Sequence, residues 1–201
     1  MKKILYLIRH GQTDWNKLDS IQGNQDIPLN EVGLQQAEET AEILKDVHIE
    51  HVYTSKLMRA YQTGSIIAKS QGVGCDKING LQEISFGDYE GRTKAQLKEE
   101  FGEDFYHKLF HSQEMQDFAF KNGESKKQCK IRFSKAILKL LNSVPYSTIA
   151  VVAHGFVINT FLSVINFNDI VVRGVKNCEV IYLEYEDGKF SNIKIINKKI
   201  S

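Results

Sequence analysis

The chain has 201 residues, 42% of them hydrophobic, and its 26 basic and 25 acidic side chains leave a net charge of +1. This composition is typical of one globular domain, here residues 1–201, that is long enough to bury a core. The charge balance argues against a nucleic-acid partner. No apolar run approaches the roughly 20 residues that span a membrane, so no membrane association is expected.

The N-terminus and the cysteines favour a cytoplasmic protein. The apolar run after residues 1–3 is too short for a signal peptide and meets Arg9-His10 without a cleavage site of small residues. The cysteines are three, widely separated and without metal-binding spacing, which fits reduced thiols better than a disulfide framework. They are Cys75, Cys129 and Cys178.

The first part of the chain alternates between predicted strands and helices. Residues 4–8 are a continuous apolar run, the pattern of a strand that is covered on both faces. Residues 31–46 carry apolar side chains at spacings of three and four and predict an amphipathic helix. Residues 51–54 predict a short strand, after which Ser55 is expected to cap another helix.

The second part begins with a long helical region. Residues 92–143 are charged and helical in pattern, without an evident strand. Residues 148–153 then form a second fully apolar strand, followed by His154-Gly155 and a further helical run. The chain closes with a predicted hairpin, in which residues 179–185 and 190–196 flank an Asp187-Gly188 turn.

This order of elements predicts an α/β fold. We expect a three-layer sandwich with a mostly parallel sheet, helices on both faces and an edge hairpin. Residues 92–143 would be a helical insertion that caps the active site. A second copy of the chain, paired through the exposed edge of the hairpin, is a candidate partner.

Two predicted strands end in the same dipeptide, His-Gly. Ligands of parallel sheets bind beyond the carboxyl ends of the strands, so His10 and His154 are expected to share one crevice. Neutral imidazole can attack phosphorus, and a transferring phosphoryl group needs fixed cations around its oxygens. Arg9 and Arg59 suit this role because the planar guanidinium binds two oxygens at once. The glycines, including Gly155, would let the backbone approach the oxyanion.

Several segments between residue 4 and about residue 160 carry further motifs. They are RHGQTDWN from Arg9, QG…DIPL…G…QA from Gln22, SKLMRAYQT from Ser55, VAHG from Val152, and Gly123-Glu124-Ser125 with Arg132 downstream. Each is weak alone, but together and in this order they resemble the histidine phosphatase superfamily, the phosphoglycerate-mutase-like proteins.

The resemblance implies a role for each matching residue. His10 would be the nucleophile that becomes phosphorylated, while Arg9, Arg59 and His154 would hold the phosphoryl oxygens. The remaining residues of the implied substrate site are Asn16, Gln22, Gly23 and Gly155.

Residues 81–91, LQEISFGDYEG, resemble the acid loop of the family. Glu83 would then donate a proton to the leaving alcohol and later deprotonate the attacking water, which requires a carboxyl that is protonated near neutral pH. Asp88 and Glu90 lie on the same loop and are alternative acids. Tyr89 stands where the family commonly has Trp; because an aromatic residue remains, we expect the loop still to pack.

The resemblance implies a histidine acid phosphatase-type phosphoric monoester hydrolase, similar to the alpha-ribazole phosphatase-like and broad-specificity members, acting on a small-molecule phosphate ester. No metal or cofactor is implied, because arginine and histidine supply the positive charge; His107 and His111 have the spacing of a metal pair but lack an obvious third ligand. The residues after Glu83 lack the Arg-His-Tyr element of the mutases. A phosphoglycerate mutase is the alternative, and a non-catalytic phospholigand-binding protein is a more distant one.

The sequence leaves the substrate open. Aromatic residues are frequent in the insertion, and at helical spacing they are more often core residues than substrate contacts. If several of them face the pocket, bulky or apolar phosphate esters are favoured over small sugar phosphates. These residues are Phe101, Phe105, Tyr106, Phe110, Phe118 and Phe120.

Overall fold

The computed structural model describes residues 2–167 and 174–196, and within them six strands form one sheet. The strand order is β3-β2-β4-β1-β5-β6; the first four strands are parallel, whereas β5 and β6 run antiparallel to their neighbours. The prediction of a mostly parallel sheet with an edge hairpin is confirmed. The strands are β1 (Lys3–Arg9), β2 (His51–Thr54), β3 (Cys75–Lys77), β4 (Thr148–Ala153), β5 (Val180–Glu186) and β6 (Lys189–Ile196).

Helices cover both faces of this sheet, and the described helices are not long and apolar enough to cross a membrane. A 3-10 turn, Gly87–Tyr89, lies in the predicted acid loop. The α-helices are α1 (Asp14–Lys17), α2 (Glu31–Ile43), α3 (Met58–Gln71), α4 (Lys94–Phe101), α5 (Glu103–His111), α6 (Lys126–Ser143) and α7 (Gly155–Val164).

The continuous apolar run of β1 is explained by burial on both sides. Leu5 and Leu7 point into a core formed with α6 and α7, whereas Tyr6 and Ile8 point into a second core formed with α2 and α3. Successive side chains of a strand alternate between the two faces, so a central strand that is covered on both sides needs no polar position.

The pairing of β1 with β4 brings the two His-Gly dipeptides together. Arg9 lies opposite Ala153 in the parallel register, and the backbone N–H of His10 donates to the carbonyl of Ala153 over 3.0 Å. Both strands therefore end at the same level, and each delivers a histidine to the same edge of the sheet. This is the arrangement that the sequence pattern predicted.

Residues 92–143 contribute to two parts of the fold. Helices α4 and α5 stand over the carboxyl ends of the strands, and Lys94, Tyr106 and Phe110 from these helices line a cavity there. Helix α6 packs against α7 and supplies Phe133 and Ile137 to the core. Only the first part of this region therefore caps the site, while α6 belongs to a layer of the sandwich.

One short strand was not predicted from the sequence, and one local prediction is wrong. Strand β3 lacks the apolar run that would predict a strand, since two of its three residues are exposed. Ser55 does not cap α3; the helix begins at Met58, and the side chain of Asp26 accepts the backbone N–H of Met58 over 2.5 Å. A residue from another segment thus performs the function that we expected of a local one.

Candidate active site

His10 lies at the end of β1 with only 3% of its surface exposed. Its Nδ1 is 2.7 Å from the carbonyl oxygen of Gly11, so Nδ1 carries the proton and Nε2 keeps its lone pair. Burial, together with the charges of Arg59 and Arg9, lowers the pKa of His10 well below 6.5. The ring is therefore neutral at neutral pH, the state in which imidazole is nucleophilic.

His154 is fully buried beside His10, with 5.1 Å between the two ring centroids, and it is not among the residues that line the cavity. Its Nδ1 accepts a hydrogen bond from Nε of Arg59 over 3.2 Å, which places the proton on Nε2. Burial lowers the pKa of His154 well below 6.5. Nε2 is a buried donor without a partner among the described residues, a costly condition that a ligand oxygen would relieve.

Arg59 is completely buried in the first turn of α3. Its guanidinium donates to the backbone carbonyls of Gln25 (2.7 Å) and Gly23 (2.8 Å), as well as to His154. In the described part of the chain no carboxylate forms an ion pair with it. Burial lowers its pKa to about 10, so the charge persists at neutral pH and remains available to an anion.

Arg9 is held by a hydrogen bond from Nη1 to the carbonyl of Val175 (2.6 Å). Its Nε is buried and has no partner among the described residues, and burial lowers the pKa of Arg9. A Cβ atom at position 155 would lie 3.2 Å from this Nε, so glycine there lets the start of α7 approach the guanidinium closely. Arg9 and His154 thus present two unpartnered donors near His10, as an oxyanion site requires.

Glu83 lines the same cavity as His10. Its carboxyl group accepts three backbone N–H groups, from Ile84 (3.0 Å) and from Phe156 (3.0 Å) and Val157 (3.1 Å) in the first turn of α7. These contacts favour the charged form, but burial outweighs them and raises the pKa of Glu83 above 4.5. The group therefore retains a proton at a higher pH than an exposed glutamate does.

The two alternative acids do not line the cavity. Glu90 accepts the backbone N–H groups of Asn24 (2.9 Å) and Phe86 (3.0 Å) and the side-chain amide of Gln25 (3.0 Å). It fastens the loop whose carbonyls hold Arg59. Asp88 is exposed and accepts a hydrogen bond from Asn122.

The four other predicted site residues all lie on or beside the cavity. Asn16 uses Oδ1 to accept from Thr13 (3.2 Å) and Asn177 (3.3 Å), so its amide nitrogen is the atom left for a ligand. Gln22 is 8% exposed, and its Oε1 has no partner within the described chain. Gly23 has φ of +49°, a conformation that glycine adopts without strain.

The cavity is about 270 Å³ in volume, and the rest of its lining combines apolar side chains with the polar side chains of Ser20, Lys94 and Asn159. Two of the six insertion aromatics, Tyr106 and Phe110, line it; the other four form a cluster with Tyr89, whose ring stacks on Phe120 at 4.1 Å. Tyr89 therefore packs as we expected. The apolar wall consists of Ile21, Phe86, Tyr106, Phe110, Phe156 and Val175.

Several supporting residues received no role from the sequence. Thr63 accepts the N–H of Gly11 (3.1 Å) and donates to the carbonyl of Arg59 (2.8 Å), which links the two basic elements. Asn177 donates to the carbonyl of His10 (2.9 Å). Thr63 lies in a motif that we quoted, whereas nothing in a single sequence distinguishes Asn177.

Arg132 also lacked a role, although the sequence had matched it to a family motif. Its guanidinium donates to the carbonyls of Gly80 (2.9 Å), Gln82 (3.0 Å) and Glu83 (3.3 Å), and Glu124 binds it through both carboxylate oxygens. Arg132 therefore holds the backbone of the acid loop, while two backbone N–H groups of α7 hold the carboxyl group of Glu83.

Comparisons with known proteins identify the family. The family model of the histidine phosphatase superfamily (branch 1) matches residues 5–198, and the chain belongs to this superfamily. A probable phosphoglycerate mutase of Cronobacter sakazakii is 34% identical over 188 residues, which are 90% of this chain and 85% of that protein. An uncharacterized phosphatase of Bacillus subtilis is 31% identical over 163 residues, 81% of this chain and 77% of that protein.

Among solved structures, the alpha-ribazole phosphatase from Shigella flexneri superposes with a TM-score of 0.81 at 25% identity, covering 98% of this chain and 96% of that one. The relatives thus include proteins named as phosphatases and as mutases. Family membership defines phosphoryl-transfer chemistry at a histidine; the particular reaction is a separate question.

Proposed function

We propose that the protein is a phosphoric monoester hydrolase of the histidine acid phosphatase type, with His10 as nucleophile and Glu83 as general acid and base. The observation that carries this proposal is the pairing of a neutral, buried imidazole with a carboxyl of raised pKa in one cavity. Arg9 and Arg59 together supply fixed positive charge, so the chemistry needs no metal ion.

In the first step, the lone pair on Nε2 of His10 forms a bond to phosphorus as the bond from phosphorus to the ester oxygen breaks. Glu83 gives its proton to that oxygen, and the alcohol leaves neutral. In the second step, the Glu83 carboxylate takes a proton from water as the water oxygen attacks phosphorus. The phosphorus–nitrogen bond breaks, its electron pair returns to Nε2, and inorganic phosphate is released.

The positive groups act on the charge that develops during both steps. Arg9 and the Nε2–H of His154 are buried donors that lack protein partners, and they would meet the equatorial oxygens of the phosphoryl group. Arg59 adds charge and orients His154 through their shared hydrogen bond. Asn16, Gln22, Gly23 and Gly155 would complete the contact with the substrate.

A phosphoglycerate mutase is the second candidate, because the Cronobacter sakazakii relative bears that name. Its substrates carry a carboxylate and further phosphate at the far end, which need additional cations. Among the described residues that line the cavity, Lys94 is the only cation besides Arg9 and Arg59, and it is paired with Asp19 at 2.7 Å. The apolar wall supports hydrolysis of an ester with an aromatic or apolar group instead.

Phosphate release from a panel of phosphomonoesters in excess EDTA tests the proposal. The panel includes 3-phosphoglycerate with its bisphosphate primer. We expect release that persists in EDTA, with aromatic esters hydrolysed faster than phosphoglycerate. Isomerisation of 3-phosphoglycerate with little free phosphate would identify a mutase. Loss of activity in EDTA would contradict the proposal that Arg9 and Arg59 supply the positive charge without a metal ion.

The support of the acid loop by Arg132 gives a further prediction. Arg132→Lys should lower kcat/KM for alkyl phosphates by roughly 10- to 100-fold, because the single nitrogen of a lysine cannot bind the three carbonyls and both oxygens of Glu124 at once, and Glu83 would lose its alignment. For 4-nitrophenyl phosphate, whose leaving group needs no proton, the loss should be small. Arg92→Lys, the same change at an exposed arginine, is the control. Equal losses on both esters would assign Arg132 a structural role only.

A further inference from the structure

Lys126 is a buried cation outside the candidate active site. It lies at the start of α6 with 4% of its surface exposed, and burial lowers the pKa of its ammonium to about 8. Within the described residues it forms no ion pair with a carboxylate. Instead Nζ donates to three backbone carbonyls, those of Lys108 (2.6 Å), Ser112 (3.0 Å) and Glu114 (2.9 Å).

These carbonyls belong to the C-terminal end of α5 and to the residues that follow it. The last carbonyls of a helix have no partners within the helix, and a cation there is favourable because it satisfies them and complements the helix dipole. Lys126 therefore terminates α5 and fastens it to α6. Helix α6 is itself held in the core through Phe133 and Ile137.

Helix α5 carries the two insertion aromatics that line the cavity. The ring centroids of Tyr106 and Phe110 are 4.8 Å apart, and Phe110 lies 5.5 Å from Phe86 and 6.1 Å from Phe156. Phe110 is two residues from Ser112, one of the carbonyls that Lys126 binds. The positions of Tyr106 and Phe110 thus depend on where the end of α5 is anchored.

We propose that Lys126 is a positioning residue for substrate selection: by anchoring the C-terminal end of α5, it fixes Tyr106 and Phe110 against the ester group of the substrate. The inference rests on the proposed phosphatase function. Lys126 does not line the cavity that contains His10, so it has no part in the bond-making steps. Its loss should change which esters are accepted more than how fast a small ester reacts.

The test compares Lys126→Met with Lys127→Met. Lys127 is the adjacent residue in the same helix turn, but it is exposed and pairs with Asp117 at the surface. The substrates are 2-naphthyl phosphate and phenyl phosphate, which differ in size but little in the acidity of the leaving alcohol. We expect Lys126→Met to lower the kcat/KM of the naphthyl ester relative to that of the phenyl ester about tenfold, mainly by raising KM for the naphthyl ester. Lys127→Met should keep the wild-type ratio, and Lys126→Arg should restore most of it.

Amide hydrogen exchange over residues 103–114 supplies a readout that does not depend on activity. Exchange there should be faster in Lys126→Met and unchanged in Lys127→Met. Unchanged exchange in Lys126→Met would overturn the anchoring role, and faster exchange with an unchanged substrate ratio, or with equal losses on both esters, would overturn the role in selection. If Lys126→Met does not fold, the same two measurements on Lys126→Gln decide the question. A wild-type protein without activity on either ester would instead contradict the proposed function.

Discussion

Replacing His10 with alanine is expected to reduce turnover of every phosphomonoester by roughly 10⁴-fold or more, because His10 supplies the only imidazole among the described residues that line the cavity. The neighbouring imidazole of His154 is fully buried, and its Nδ1 is already engaged by Arg59. Rapid quenching of the wild-type protein with a ³²P-labelled ester should trap a phosphoenzyme that is stable to base and labile to acid. The alanine variant should trap none.

His48→Ala is the matched control, since His48 is exposed and lies far from β1 in the sequence. It should retain wild-type turnover and wild-type labelling. A His10→Ala protein that still hydrolyses esters at a comparable rate would remove the phosphohistidine intermediate from the mechanism. Labelling without hydrolysis in the wild type would instead indicate transfer to an acceptor other than water.

Replacing Glu83 with glutamine should separate esters by their leaving groups. Alkyl phosphates, which need a proton on the departing oxygen, should react about 10²- to 10⁴-fold more slowly, whereas 4-nitrophenyl phosphate should lose far less. Both rates come from one protein sample, so a loss of folded protein would lower them equally. An equal loss on both esters would therefore argue against the role of Glu83 as an acid.

The raised pKa of Glu83 also predicts the shape of the pH profile. The protonated carboxyl is the active form for the first step, so kcat/KM for alkyl phosphates should fall as pH rises through the pKa of Glu83, which lies above 4.5. Neutral His10 is the active form of the nucleophile, and its lowered pKa keeps it active well below pH 6.5. In Glu83→Gln the alkaline decline should disappear. Its persistence would assign the titration to another group.

Much of the fold followed from local patterns. The apolar run at residues 148–153 predicted β4 to the residue, because a strand buried on both faces leaves an unbroken apolar signal. Strand β3 was missed because its three residues are stabilised by pairing with β2 and carry little apolar surface of their own. The start of α3 was misplaced because Asp26, distant in sequence, provides the acceptor that we had assigned to Ser55.

The candidate site divided in the same way. His10 and His154 were predictable because two equivalent strands each ended in a histidine, and parallel pairing brings such ends together. Arg132 and Lys126 act through backbone carbonyls, which have no sequence signature. The six aromatic residues of the insertion were equivalent in pattern, and only the packing of α4 and α5 distinguishes the two that line the cavity.

The hydrogen bond from His10 to the carbonyl of Gly11 has a consequence for the lifetime of a phosphorylated ring. Since Nδ1 keeps its proton, a phosphoryl group on Nε2 would make the ring an imidazolium, whose charge the carbonyl dipole stabilises. Such a ring departs from phosphorus as neutral imidazole and needs no further proton at that moment. One backbone oxygen would thus determine both which ring nitrogen is phosphorylated and how readily water hydrolyses the phosphohistidine.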